Sequence, residues 1–371
     1  MAGISDQFTL GVEEEYQIVD PETRELRSYI SRLLEDGKSV LRERMRAEMH
    51  QSVVEVGTTV CPDVAAVRRE LVEMRGELSR LAEKGGLRIV AASTHPISDW
   101  KGQEITDHHR YHEIVEDLQD VARGNLIFGL HVHVGIKDKD VATELANQVR
   151  YFLPHILALT TSSPFWLGRL TGLASTRCEI FKRFPRTGIP DRFASYGHFQ
   201  SFVELLVKTG CIDNGKRIWW DVRVHHLFDT VEVRICDMPT NMDHTVAVVA
   251  LIQALMAKLY LLHKGNMGWR DYPRSLIEEN KWRAMRYGIH GKMIDFGQMR
   301  ERAVGELVGE LLDFVRDTAS MFGTEKEVAG IPRILKEGTS ADRQRKIYDG
   351  SGGDAKAVVD WLIAETMRGI G

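Results

Sequence analysis

Alternating apolar and polar positions predict a β-strand over residues 9–20, TLGVEEEYQIVD. Successive side chains of a strand point to opposite faces, so Glu13 and Glu15 share one face while Glu14 lies on the apolar face. Two carboxylates about 7 Å apart on one face suit a divalent cation such as Mg²⁺, which prefers oxygen ligands. Glu14 would need a cationic partner. The alternative is a solvated strand end, since charged side chains are mostly exposed.

A second strand is predicted over residues 126–136, LIFGLHVHVGI, where His131 and His133 share a face beside Gly135. Two histidines on one face of a buried strand indicate the wall of a site. One imidazole could ligate a metal, and the other could hydrogen-bond a phosphate or a carboxylate. Paired histidines also occur in zinc hydrolases, but the sequence offers no convincing set of further zinc ligands.

Two more predicted strands carry a carboxylate among apolar neighbours. Glu55 lies between valines, where burial is costly unless the carboxylate meets a cation. Glu48 lies seven residues upstream, a spacing that fits two helical turns or the opposite face of a strand. In the second strand of a predicted hairpin, residues 229–236, Glu232 and Arg234 share a face. They could form only an ion pair, or they could be a metal ligand beside a phosphate contact.

The remaining apolar positions mostly recur every three or four residues, which is typical of amphipathic helices. Asp243 is predicted to cap a long helix whose uncharged run of about 12 residues is too short to cross a bilayer and predicts a buried central helix. Other predicted helices cover residues 63–84, 138–159, 198–207, 275–291 and 297–322, and a loop rich in Gly, Asp and Arg covers residues 338–353 before a closing helix. With no repeat, linker or break in composition, we predict a single domain over residues 1–371.

Composition excludes several classes of protein. The chain has 371 residues, 43% of them hydrophobic and 27% charged, with a net charge of −4. These values are typical of a globular protein, and they offer no basic surface for nucleic acid or for a membrane. The N-terminus lacks the pattern of a signal peptide, and the four cysteines are scattered without a CxxC motif, so we expect free thiols and a cytoplasmic location.

A basic stretch interrupts this slightly acidic chain at residues 165–192. It has little periodicity and could fold over an anionic ligand, because a guanidinium group matches carboxylate and phosphate oxygens in pairs. The expected contacts are Arg177, Lys182, Arg183 and Arg186. The alternative is a solvated surface loop.

Together these strands would place carboxylates, a histidine and arginines on one face of a mostly antiparallel sheet. Such a set is typical of a site where several Mg²⁺ ions hold a nucleoside triphosphate. The phosphoryl acceptor would be a carboxylate, and an amine would then attack the acyl phosphate. The chain lacks the GxxxxGK[ST] and GxGxxG motifs in their usual context, so a nucleotide would be held without them.

Seven segments, in order along nearly the whole chain, resemble the carboxylate–amine ligase family, also called glutamate–cysteine ligase type 2. They are TLGVEEEYQIVD, MHQSVVEVGT, GLHVHVGI, FPRTGIP, TVEVRICD, ENKWRAMRYG and AVVDWLIAET. The resemblance implies an α+β, glutamine-synthetase-like fold with a mostly antiparallel curved sheet and helices on its outer face. It also implies ATP and Mg²⁺, with Mn²⁺ as a substitute, and formation of a γ-glutamyl-type amide from a small-molecule acid and amine.

Carried over to this chain, the resemblance implies the metal ligands Glu13, Glu15, Glu48, Glu55, His131 and Glu232. It makes Glu232 and Arg234 catalytic, Arg234 being the phosphate contact, and adds His133 to Arg177, Arg183 and Arg186 as substrate or phosphate contacts. We expect a homo-oligomer, most simply a dimer. Two alternatives are a non-catalytic nucleotide or metabolite sensor, and a phosphotransferase on the same scaffold.

Overall fold

The computed structural model describes residues 7–37, 41 and 44–370, and its strands and helices are numbered in chain order. The strands are β1 (Leu10–Val19), β2 (Met45–Ala47), β3 (Val53–Gly57), β4 (Arg88–Val90), β5 (Leu130–Gly135), β6 (Phe165–Trp166), β7 (Arg169–Leu170), β8 (Thr187–Gly188), β9 (Trp219–Trp220), β10 (Val222–Val224), β11 (Thr230–Val233), β12 (Lys292–Asp295) and β13 (Arg300–Ala303).

The helices include several of only one or two turns. They are α1 (Ile30–Gly37), α2 (Val64–Lys84), α3 (His109–Leu118), α4 (Asp120–Arg123), α5 (Lys139–Val149), α6 (Leu153–Thr160), α7 (Thr176–Phe181), α8 (Tyr196–Lys208), α9 (Met242–Lys264), α10 (Arg274–Tyr287), α11 (Val304–Phe322), α12 (Glu325–Val328), α13 (Gly330–Glu337), α14 (Ser340–Gly350) and α15 (Ala355–Thr366).

A seven-stranded sheet lies at the centre of the fold. Its strand order is β10-β11-β5-β1-β3-β2, and β4 also pairs with β1. Every pairing in this sheet is antiparallel. The predicted α+β class with a mostly antiparallel sheet is confirmed.

The apolar face of β1 is covered by helices. Leu10, Val12 and Tyr16 are buried in one core together with apolar residues of α2, α5, α9 and α11. The helix α2 presents an apolar stripe to this core and begins at Asp63, whose side chain accepts a hydrogen bond from the N–H of Ala66. Because helices occupy this face, the opposite face of the sheet is the one available to a ligand.

The helix α9 is long and apolar enough to span a membrane by length and composition alone. Within the fold, however, 78% of its most apolar window is buried. It packs against α2, α5, α11 and β5, as the core helix of a globular protein does. The predicted central helix is therefore confirmed, although its cap is Asn241, which accepts the N–H of Asp243, and not Asp243 itself.

Three predicted segments differ from the structure. The helix predicted over residues 138–159 is divided into α5 and α6, because Pro154 in the first turn of α6 has no N–H to continue α5. The helix predicted over residues 297–322 begins only at Val304, after β13 has paired with β12. The loop predicted over residues 338–353 contains α14, which a capping box formed by Thr339 and Asp342 stabilises.

Candidate active site

A cavity of about 410 Å³ opens on the other face of the sheet, the face that carries Glu13 and Glu15. Its walls come from β1, β3, β5 and β11, from the connection after β2, and from α3, α7 and the segment before β10. The volume falls within the range of roughly 300–1,000 Å³ that is typical of small-molecule sites. The five carboxylates predicted to bind metal, together with His131, Arg177 and Arg234, all line it.

Strand register brings the predicted ligands together. On β1, Glu13 lies opposite His131 of β5 and Glu15 lies opposite Glu55 of β3. The same face of β11 adds Glu232, which lies opposite His133 of β5. Cross-strand neighbours have Cβ atoms only about 5 Å apart, so four strands build one continuous acidic wall.

Two groups of side chains in this wall could each hold a metal ion. One comprises Glu13, His131 and Glu232, and the other comprises Glu15, Glu55 and His131. Within each group the ligand atoms lie within 4.8 Å of one another. Carboxylate oxygens suit Mg²⁺ or Mn²⁺, and a neutral imidazole can add a nitrogen ligand. Burial and the neighbouring Arg234 lower the pKa of His131 to about 4, so its imidazole is neutral and able to ligate a metal.

At the β3 end of the acidic wall, carboxylates crowd together, and a bound cation would offset their negative charge. Burial and the negative charge of Glu15 raise the pKa of Glu48 to about 7. Burial and the charges of Glu13 and Glu48 likewise raise the pKa of Glu55 well above its ordinary value. A bound divalent cation would favour the ionised form of each carboxylate. These carboxyl groups therefore fit a metal-binding role.

At the β11 end of the wall, two arginines offset the negative charge of Glu232. Burial opposes ionisation of Glu232, but Arg223 and Arg234 hold its pKa well below the ordinary value. The Nε of Arg223 donates to Oε2 of Glu232 at 2.6 Å, and Arg234 donates to Oε1. Arg223 was not among the predicted site residues, although it lies directly opposite Glu232 in the hairpin that the sequence predicts.

His133 does not line the cavity. Its Nδ1 is 3.1 Å from the hydroxyl of Thr230, and its ring packs edge-on against those of His225 and Phe228. Its Nε2 lies 3.7 Å from Glu13 and has no hydrogen-bond partner among the described residues. The structure therefore places His133 next to Glu13 and outside the lining of the cavity, packed against two residues of that lining, His225 and Phe228.

Of the four cations of the basic stretch that were expected to contact a ligand, one lies in the site and three lie outside it. Arg177, on α7, lines the cavity, donates to the carbonyl oxygens of Arg234 and Ile235 at 3.2 and 3.3 Å, and favours ionisation of Glu15. Lys182, Arg183 and Arg186 do not line it, which departs from the contacts expected for them. The side chain of Arg186 donates instead to the carbonyl of Arg217 and lies over the ring of Trp219.

The wall opposite the carboxylates was not anticipated. It combines the cations Arg110 and Lys216 with the apolar side chains of Phe184 and Trp219. Neither Arg110 nor Lys216 forms an ion pair with any residue in the part of the chain that the structure describes. No short pattern marks these residues, because they meet only through the packing of α3 against the segment before β10. They offer positive charge to an anionic ligand.

Behind the acidic wall, Glu14 has the cationic partner that its position on β1 requires. The Nη2 of Arg75 donates to Oε1 of Glu14 at 2.7 Å, and both side chains are fully buried. Arg75 also donates to the hydroxyl of Tyr16 and to the carbonyl oxygens of Thr240 and Thr366 at 2.8–3.1 Å. This arginine thereby attaches β1 to the segment before α9 and to the end of α15, and it holds the strand that carries Glu13 and Glu15.

Comparisons with known proteins agree with this geometry. The sequence model of a family described as glutamate–cysteine ligase family 2 matches residues 9–360. A protein of Sorangium cellulosum that carries the provisional name glutamate–cysteine ligase 2 is 66% identical over 99% of this chain and 98% of its own length.

Two solved structures share the fold at low sequence identity. A glutamate–cysteine ligase of Francisella tularensis, in complex with AMP, has a TM-score of 0.70 at 12% identity over 98% of this chain and 89% of that one. A bifunctional glutathione synthetase of Pasteurella multocida has a TM-score of 0.71 at 13% identity, and the match covers 98% of this chain and 53% of that one.

Proposed function

This chain belongs to glutamate–cysteine ligase family 2, and from that premise we propose that it joins a carboxylic acid to an amine at the expense of ATP, through an acyl phosphate. Membership makes it a carboxylate–amine ligase; the nucleotide, the metal and the intermediate are parts of the proposal. The observation that carries the proposal is one cavity with five carboxylates and a neutral imidazole on one wall and arginines beside and opposite them.

The proposed metal ligands are Glu13, Glu15, Glu48, Glu55, His131 and Glu232. Bound Mg²⁺ would neutralise and orient the phosphate oxygens of ATP. The donor set fits this role, since the ligand atoms of all but Glu48 form two groups that share His131, each within 4.8 Å. The AMP in the complex of the Francisella tularensis ligase supports a nucleotide in this fold.

The proposed role of the arginines is to stabilise negative charge during phosphoryl transfer. Arg234 lies beside Glu232, and its guanidinium group is held on the cavity wall by that carboxylate. Arg177 and Arg223 are fixed by carbonyl oxygens and by Glu232. Preorganised donors of this kind need little rearrangement as charge develops on the transferred group.

The proposed reaction has two steps, phosphoryl transfer and amide formation. A carboxylate oxygen of the acid attacks the γ-phosphorus of ATP, and ADP leaves. The amine nitrogen attacks the carbonyl carbon of the acyl phosphate, the carbon–oxygen bond breaks, inorganic phosphate leaves, and the amine gives up a proton. Arg110 and Lys216 carry the positive charge that would hold the carboxylate groups of the substrates.

The test is incubation of the pure protein with ATP, Mg²⁺ and glutamate, with and without cysteine, with measurement of phosphate release and product mass. We expect release of phosphate that depends on the amine, together with the mass of a γ-glutamyl dipeptide, and loss of both in Glu232→Gln. A matched control is Glu279→Gln, which removes a carboxylate from an ion pair within α10, outside the cavity.

The other outcomes separate the alternatives. A stable phosphorylated acid with no amide would identify a phosphotransferase. Tight binding of Mg²⁺-ATP without turnover for any acid and amine in a screen would identify a sensor and overturn the proposed ligase chemistry.

The single domain over residues 1–371, the homodimer and the cytoplasmic location also remain proposals. The continuous core shared by α2, α9 and α11 supports the single domain. Light scattering of the purified protein would test the dimer.

A further inference from the structure

A second cavity, of about 570 Å³, lies at the N-terminal end of α9. Its walls come from α2, α9, α12, α13, α14 and the segment after α15. It shares no lining residue with the catalytic cavity. Its volume is within the range of roughly 300–1,000 Å³ of small-molecule sites, and the proposed ligase chemistry makes no use of it.

Cations from five separate segments converge on this cavity: Arg68, Lys326, Arg333, Arg343 and Arg368. The wall carries three carboxylates, Asp243, Glu327 and Glu337. Cations therefore outnumber carboxylates on the wall, in a chain whose net charge is −4. Because the cations approach from different elements, the excess of positive charge surrounds the cavity.

Four of these five cations form ion pairs, two with carboxylates of the cavity wall and two with Glu365 behind it. Arg68 pairs with Asp243, and Arg333 pairs with Glu337 at 2.8 Å. Behind the wall, Glu365 accepts from Arg343 at 2.7 Å and lies 3.3 Å from Arg368. A guanidinium group has five N–H donors, so an arginine that pairs with one carboxylate keeps donors for a ligand.

An independent observation is a buried polar side chain that faces this cavity without a partner. His244, in the first turn of α9, is only 8% exposed and lines the cavity. Its ring makes no hydrogen bond to any residue that the structure describes. Burial and the nearby Arg343 lower the pKa of His244 to about 4, so the ring is neutral and offers one N–H donor. The side chain is therefore largely buried while its ring remains available to a ligand in the cavity.

We propose that this second cavity binds a small polyanion carrying at least two phosphate or carboxylate groups, with His244 as the buried donor and the converging cations as its charged contacts. A single small anion could not reach cations on several sides of a cavity of this size. The N-terminus of α9 adds favourable partial positive charge. The site is separate from catalysis, so it stands whether or not the proposed ligase reaction is found.

The test is isothermal titration calorimetry of the full chain at low salt, after divalent cations have been removed on a chelating resin. Two probes represent the two sources of such a ligand, inorganic pyrophosphate for phosphates and citrate for polycarboxylates. The catalytic cavity also carries cations, among them Arg110 and Lys216, so the variants below assign a saturable signal to one cavity or the other. We expect one site per chain for at least one probe, and the probe that binds identifies the source.

Two variants and a matched control decide the assignment. Lys326→Gln/Arg333→Gln removes two cations, one of them 64% exposed, and should weaken binding at least about tenfold, as expected for loss of a charge-assisted hydrogen bond. His244→Phe keeps an aromatic ring and should weaken binding severalfold. Arg316→Gln/Lys346→Gln changes the net charge equally outside the cavity and should leave binding unchanged.

The proposal is overturned if neither probe binds. It is also overturned if binding is equal in the cavity variant and in the control, since that result would mean non-specific attraction of anions. Thermal denaturation of each variant confirms that the fold is retained.

Discussion

Adjacent side chains of β1 point to opposite faces of the sheet and have different surroundings. Glu14 lies in a dry core with Arg75 and Tyr16, and every one of its neighbours serves to fix the strand. Glu13 and Glu15 face the catalytic cavity, where other carboxylates surround them. Because side chains alternate along a strand, the residues on one face of β1 find their partners within the protein, and those on the other face are available to a ligand.

The largest effect is expected on the satisfied face. Replacing Arg75 by Met leaves the carboxylate of Glu14 buried without a cation, which should destabilise the fold by about 3–5 kcal/mol. The free energy of unfolding, measured in urea, gives the value. In Glu14→Leu/Arg75→Met no charge is left unpaired, so this double variant should lose less stability than the sum of the two single variants. Strict additivity would show that the pair is not coupled.

A substitution on the cavity face of β1 should lower activity and leave stability almost unchanged. Glu15→Gln keeps an oxygen that can accept the N–H of Gly129 and removes one of several like charges. The stability of the metal-free protein should be unchanged or slightly higher, while phosphate release should fall about 10²–10³-fold, since a proposed ligand of the metal that would hold the transferred phosphate is lost. Loss of stability comparable to that of Arg75→Met would contradict the contrast between the two faces.

The free energy of unfolding should also depend on pH through the crowded carboxylates of the cavity. The folded pKa of Glu48 is raised to about 7 from 4.5, so between these values the folded protein holds a proton that the unfolded chain has released. Stability from this group is complete below pH 4.5 and is lost as pH rises through about 7. In EDTA, the free energy of unfolding should fall by about 1–3 kcal/mol more between pH 5 and 8 in the native protein than in Glu48→Gln. Equal slopes would show that Glu48 has an ordinary pKa.

The smallest effect is expected from the basic stretch outside the cavity. Arg186→Gln removes only a contact with a carbonyl and a stacked ring, so phosphate release should change less than about threefold. Arg177→Gln, its matched partner inside the cavity, should lower phosphate release about 100-fold. Similar losses in both variants would show that Arg186 reaches the substrate after all.

Local patterns in the sequence determined much of this protein. Alternation in residues 9–20 predicted the strand, its two faces and the need of Glu14 for a cation, because the period of a strand is a local property. The segments around Glu55, His131 and Glu232 were likewise predicted as strands. A run without charge predicted the buried α9 for the same reason.

Only the tertiary structure decided which side chains meet. The pairing of Glu15 with Glu55 depends on strand register between distant segments, and the entry of Arg110 and Lys216 depends on how α3 and the segment before β10 pack. Composition identified a basic stretch but could not separate Arg177 from Arg186, since the carbonyl oxygens and the ring that fix them lie far along the chain. A sequence pattern reports the period of one element, whereas a site is made by contacts between elements.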